Sequence, residues 1–111
     1  MNETGKISYI ELPARNIEVT KRFYSKAFGW KFVDYGPDYV SFQEAGMDGG
    51  FYKSDKTAST ATGSALVVLY SNELEKTLEV VLESGGEIVE QIFEFPGGRR
   101  FHFADPNGNE L

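Results

Sequence analysis

Residues 6–32 spell a strand, a capped helix and a glycine stop, and a weaker copy of that unit returns about 55 residues later. In a chain of 111 residues, repeated sheet-plus-helix units must share or juxtapose their sheets around one core. In the first copy, alternation places Ile10 and Leu12 on one face of a strand and Ile7, Tyr9 and Glu11 on the other. Pro13 stops the strand, and Asn16 is a suitable N-cap for the helix that follows. Ile17, Val19, Phe23, Tyr24, Ala27 and Phe28 fill one half of that helix, which therefore lies on a sheet. Gly29 ends it, since glycine accepts the positive φ of a helix stop.

Residues 30–35 then read as a strand, Gly36-Pro37-Asp38 as a turn and residues 39–44 as the return of a hairpin. Residues 51–53 close a further strand, weakened or bulged by Gly49 and Gly50. Residues 54–63 are small and polar without periodicity, as a linker would be. In the second copy, residues 64–70 form a continuous apolar run, expected for a strand covered on both faces. Asn72 and Glu75 have the spacing of a capping box. Leu74, Leu78, Val81 and Leu82 make the apolar stripe of a helix that Gly85-Gly86 ends. Strands follow at residues 87–95 and 99–104, joined by Pro96-Gly97-Gly98. Asp105-Pro106-Asn107-Gly108 is a β-turn sequence, and Asn109 opens a last strand of only three residues, so the polypeptide is expected to continue past Leu111. The expected division is one domain, with module one at about 6–53, a linker at 54–63 and module two at about 64–111.

Net charge is −6 with the eleven Lys and Arg scattered, so the chain lacks the basic face that a phosphate backbone requires, and nucleic acid is not expected as a partner. No apolar run reaches the ~20 residues that span a bilayer, and the first six residues lack the apolar core of a signal peptide. A cytoplasmic protein without membrane contact is expected. Without cysteine there is no disulfide, thiolate nucleophile or zinc–thiolate site.

The run Tyr9-Ile10-Glu11-Leu12, the helix end Phe23-Tyr24-Ser25-Lys26-Ala27-Phe28-Gly29-Trp30 and the closing Phe101-His102-Phe103-Ala104-Asp105-Pro106-Asn107-Gly108-Asn109-Glu110-Leu111 resemble the vicinal oxygen chelate superfamily, the glyoxalase, bleomycin-resistance and extradiol-dioxygenase group. The resemblance implies an α+β fold of two βαβββ modules forming a curved, partly open barrel-like sheet with helices outside, and a homodimer. It also implies a cleft for a small molecule. Metal-using members take His, Gln or Glu ligands from the first and last strands of each module. Those positions fall on Tyr9, on Ala65, near Glu44 and Asp48, and past Leu111. Alanine cannot donate and a neutral tyrosine is a poor ligand, so no cofactor is expected. The alternative is a metal-dependent lyase, isomerase or dioxygenase completed from beyond Leu111 or by a partner subunit.

The residues expected to bind a ligand are Tyr9, Glu11, Trp30, Phe51, Ala65, Val67, Arg100 and His102. Tyr9 has a hydroxyl to orient a ligand, although it also suffices to fill a vacated metal site. Glu11 suits a cationic or hydroxylated ligand, and an exposed strand carboxylate is equally ordinary. Ala65 and Val67, with Leu69, make the facing wall apolar. Trp30 and Phe51 are aromatic candidates for the lining. Arg99 and Arg100 lie on opposite faces of their strand, so at most one can anchor an anion. His102, the only histidine, titrates near neutrality, yet a base with no nucleophile or metal has little to act on, and a structural hydrogen bond is its plainer use.

Overall fold

The structure, a computed structural model, describes residues 2–111. Strands β1 (Ile10–Ala14), β2 (Lys31–Asp34), β3 (Tyr39–Gln43) and β4 (Gly49–Lys53) form one sheet in the order β1-β4-β3-β2. β4 pairs in parallel with β1 and antiparallel with β3, so Phe51 has Leu12 on one side and Val40 on the other. A parallel pair needs a crossover, and helix α1 (Ile17–Phe28) begins it by carrying the chain from β1 to the far edge. The Asn16 side chain accepts from the Val19 amide at 3.0 Å to start α1, and Gly29 ends it at a φ of 74°.

α1 buries Ile17, Thr20, Phe23 and Tyr24 against the sheet. Trp30 stacks on Tyr24 with ring centroids 4.6 Å apart, and Phe42 and Phe51 lie beneath. Trp30 and Phe51, expected to line a cleft, are thus core residues, 6% and 0% exposed. Alternation explains Phe51, which falls on the helix-facing side of the sheet with Leu12 and Val40.

The second half holds helix α2 (Leu74–Ser84) and the antiparallel hairpin of β5 (Glu87–Phe95) and β6 (Gly98–Ala104). Phe103 of β6 meets Phe23 and Phe28 of α1 at 6.0 and 5.9 Å, so one apolar cluster joins both halves. Three expectations are corrected here. Residues 64–70 form no strand, because residues 65–70 make no backbone-to-backbone hydrogen bond to any described residue, and Val68 and Tyr70 are exposed. The Asn72–Glu75 capping box does not form. Ser71 Oγ instead accepts from the Glu73 amide, and Arg99 holds Glu75 through two hydrogen bonds of 2.6 and 3.2 Å. Leu82 leaves the apolar stripe, half exposed. The expected last strand is present as one bridge between Ala104 and Glu110, with Leu111 and Phe103 exchanging two backbone hydrogen bonds.

The turn at residues 105–109 clips the C-terminus to the rest of the chain. One Asp105 oxygen accepts from the amides of Asn107 and Asn109, and the other accepts from the Tyr24 hydroxyl at 2.8 Å and the Asn109 side chain at 3.2 Å. Asn107 accepts from the amides of Arg15 and Asn16 and donates to Thr20 Oγ1. Asn109 donates to the Pro13 carbonyl and accepts from the Ala58 amide. All three side chains are buried, so each of these bonds also spares a polar group an unpaired desolvation. Asp105→Ala leaves four buried donors without their acceptor, and at about 1–3 kcal/mol per orphaned donor the loss is expected to exceed ~3 kcal/mol. Asn16→Ala removes one cap, worth ~1 kcal/mol. Urea unfolding of both variants checks this, and equal losses would contradict it.

Candidate functional site

β3 alternates Val40 and Phe42 toward α1 with Tyr39, Ser41 and Gln43 on the opposite face. On that opposite face the Tyr39 ring lies over Gly50, where a Cβ would run into the Tyr39 hydroxyl. Tyr39 donates to Glu11 Oε2 at 2.9 Å, and Tyr9 Oη lies 2.6 Å from Tyr39 Oη. Tyr39 has a single proton, so Tyr9 must be the donor to it. The result is a relay from Tyr9 through Tyr39 to the Glu11 carboxylate. Burial, reinforced by the bonds to Tyr9 and Glu11, pushes the Tyr39 hydroxyl well above the usual tyrosine range, so it stays a donor at neutral pH. Beside the relay is a hollow of about 410 Å³ lined by Tyr9, Tyr35, Tyr39, Ser41, Gln43 and Asp48 among others. Tyr39 was not among the expected site residues, although its alternation with Val40 and Phe42 is the signal that places it here.

Arg100 and His102 border a different hollow, of about 440 Å³, between residues 66–71 and β6. His102 Nδ1 is 2.8 Å from Glu110 Oε2, while Glu110 Oε1 accepts from the amide and hydroxyl of Thr60. Facing a carboxylate, Nδ1 carries a proton, so His102 makes a structural hydrogen bond. The bond from His102, followed by those from Thr60, holds the Glu110 carboxyl below its usual range. The Arg100 guanidinium lies 5.5 Å from the Phe93 ring centroid and 5.1 Å from that of Phe95. Arg99 points the other way, to Glu75 on α2. Ala65 is exposed and Val67 packs against the core; neither lines either hollow. The structure therefore brings Tyr9 together with Glu11, and Arg100 with His102, but no residue lines both hollows.

The donors present do not fit a divalent ion. Among the described residues, no three His, Asp or Glu side chains are placed to hold one. Tyr9 is tied to Tyr39, Ala65 has no donor, and Glu44 sits exposed in a turn at a φ of 59°. The His102–Glu110 pair is one imidazole and one carboxylate bonded to each other, short of the three protein ligands that a catalytic zinc keeps.

The family model for the Glyoxalase/Bleomycin resistance protein/Dioxygenase superfamily matches residues 6–111. A glyoxylase-like domain-containing protein of Didymella fabae is 28% identical over 116 residues, covering 95% of this chain and 89% of its own. Among solved structures, a glyoxalase-related enzyme from Fulvimarina pelagi superposes with a TM-score of 0.75 at 23% identity, covering 96% of this chain and 84% of that one. A glyoxalase/bleomycin resistance protein/dioxygenase family enzyme from Burkholderia phytofirmans PsJN gives 0.70 at 17% identity, with 93% and 92% covered. At these identities the structural likeness speaks for the fold.

Because the folded chain holds Glu110 below its ordinary pKa of 4.5, its contribution to stability is present above that value and is lost as pH falls through the lower, folded one. The stability difference between the wild type and Glu110→Gln is therefore expected to be full at pH 7 and to close in acid. Denaturant melts at pH 7 and at pH 3 measure it, and a gap that widens in acid would contradict the assignment.

Proposed function

The chain belongs to the Glyoxalase/Bleomycin resistance protein/Dioxygenase superfamily, and we propose that it binds a small organic molecule bearing a basic nitrogen or hydroxyl groups, without a resident metal. The observation that supports this is the Tyr9–Tyr39–Glu11 relay on the open face of the first sheet. Glu11 and Asp48 offer carboxylates to a cation or a hydroxyl, and the rings of Tyr9, Tyr35 and Tyr39 offer flat apolar area. A few fixed polar groups among aromatic faces orient a ligand; they do not supply a nucleophile or a Lewis acid. The role we infer is sequestration or sensing, carried out by one domain of two modules at 6–53 and 64–111. A cytoplasmic homodimer is part of the same proposal, and no helix among the described residues is long and apolar enough to cross a membrane. Ala65, Val67, Arg100 and His102 take no part in this reading, since they lie off the relay's hollow.

Metal analysis of the purified protein, followed by thermal-shift screening with amines and polyhydroxylated compounds, tests the proposal. The expected outcome is no stoichiometric metal and a ligand whose stabilisation depends on the relay. Glu11→Gln leaves Tyr39 an acceptor but removes the charge, so a cationic ligand should bind roughly tenfold more weakly, the loss of one charged hydrogen bond of ~1.5 kcal/mol. Stoichiometric Zn, Ni, Fe or Mn removable by chelation would overturn the reading in favour of a metal-dependent lyase, isomerase or dioxygenase. A ligand indifferent to both Glu11→Gln and Tyr39→Phe would overturn its placement.

A further inference from the structure

The hollow beside β6 has an unusual lining for a ligand pocket. It is bordered by Arg99, Phe101 and Phe103 from one face of the strand and by Arg100 and His102 from the other. A hollow that touches both faces of a strand runs along that strand's edge. On this edge Phe103 is paired, exchanging hydrogen bonds with Leu111 at 3.0 and 2.9 Å. By the two-residue period of an antiparallel ladder, Phe101 and Arg99 also point their backbone groups outward, and neither is bonded there. The opposite wall is residues 66–71, and residues 65–70 leave their own backbone groups without backbone partners. Two unpaired edges thus face each other across about 440 Å³. The first sheet shows the arrangement that satisfies such edges: β4 lies parallel to β1 on one side and antiparallel to β3 on the other.

We propose that this groove is a strand-acceptor site for an extended peptide. The peptide runs antiparallel to β6, bonding Phe101 and Arg99 on one side and residues 66–69 on the other. Its chemistry follows from the lining. A residue opposite Phe101 shares that side chain's face, where Phe28, Leu74 and Phe103 also border the groove, and is apolar. Residues opposite Arg100 and His102 share the other face and are acidic, because Arg100 Nε and His102 Nε2 are buried there without a hydrogen-bond partner. The site shares no lining residue with the Tyr9–Tyr39–Glu11 hollow, and the proposal is independent of the ligand reading.

The test uses the full chain and a synthetic peptide, acetyl-Thr-Glu-Val-Glu-Val-Thr-amide, at millimolar concentration, with amide hydrogen exchange read by NMR. The expected result is at least tenfold slower exchange at Phe101 and at residues 66–69. A peptide N-methylated at both valines keeps the side chains but cannot complete the ladder to β6, and should give no protection. The same peptide with lysine in place of glutamate should fail against Arg100. No protection by the parent peptide, or equal protection by the N-methylated one, would overturn the proposal. So would amides already protected in the free protein, which would mean that the groove is filled, by a second copy if the protection rises with protein concentration.

Discussion

The Asp105 carboxylate sits where the two halves of the chain meet, and the position of nearly every other element depends on the four hydrogen bonds it accepts. Its bond from Tyr24 fixes α1, whose aromatic face is the floor of the core. Its bonds from the turn amides hold Asn107 and Asn109 in place. Those asparagines then reach β1 through Pro13, the start of α1 through Arg15 and Asn16, and the connection at Ala58. Burial pushes the Asp105 carboxyl up while the four donors pull it down. A charge in that setting persists only with its partners complete, so the network specifies one geometry for the junction.

That dependence explains why the closing stretch of the sequence is so legible. An Asp-Pro-Asn-Gly-Asn turn reads as a β-turn from its backbone preferences alone, yet its side chains are buried and point inward. Local chemistry was equally sufficient for α1, whose Asn16 cap and Gly29 stop need nothing outside the helix. What could not be read locally depended on partners. Residues 64–70 have the composition of a buried strand but no neighbour to pair with, and a strand is a relation between two segments. Glu75 has capping-box spacing from Asn72, but Arg99, 24 residues on, takes its carboxylate.

The candidate site divides in the same way. Tyr9 and Glu11 were legible because alternation on β1 put both away from the helix. Tyr39 escaped because its importance comes from a register, in which it crosses Gly50 to reach Glu11 from the third strand in space. Trp30 and Phe51 looked like pocket aromatics only while their facing was unknown; stacking with Tyr24 and pairing with Leu12 put them in the core. His102, chemically conspicuous as the only histidine, is occupied by Glu110, and that pair braces the turn to Thr60.

If one buried turn holds both halves in register, the halves should open together. Native-state hydrogen exchange measures this directly, by comparing the Asn107, Asn109 and Ala58 amides with those of Phe23 in α1 and Val81 in α2. A shared opening free energy with a common denaturant dependence, close to that of global unfolding, is the predicted result. Turn amides that exchange by a separate, lower-energy opening while α1 and α2 stay protected would contradict it.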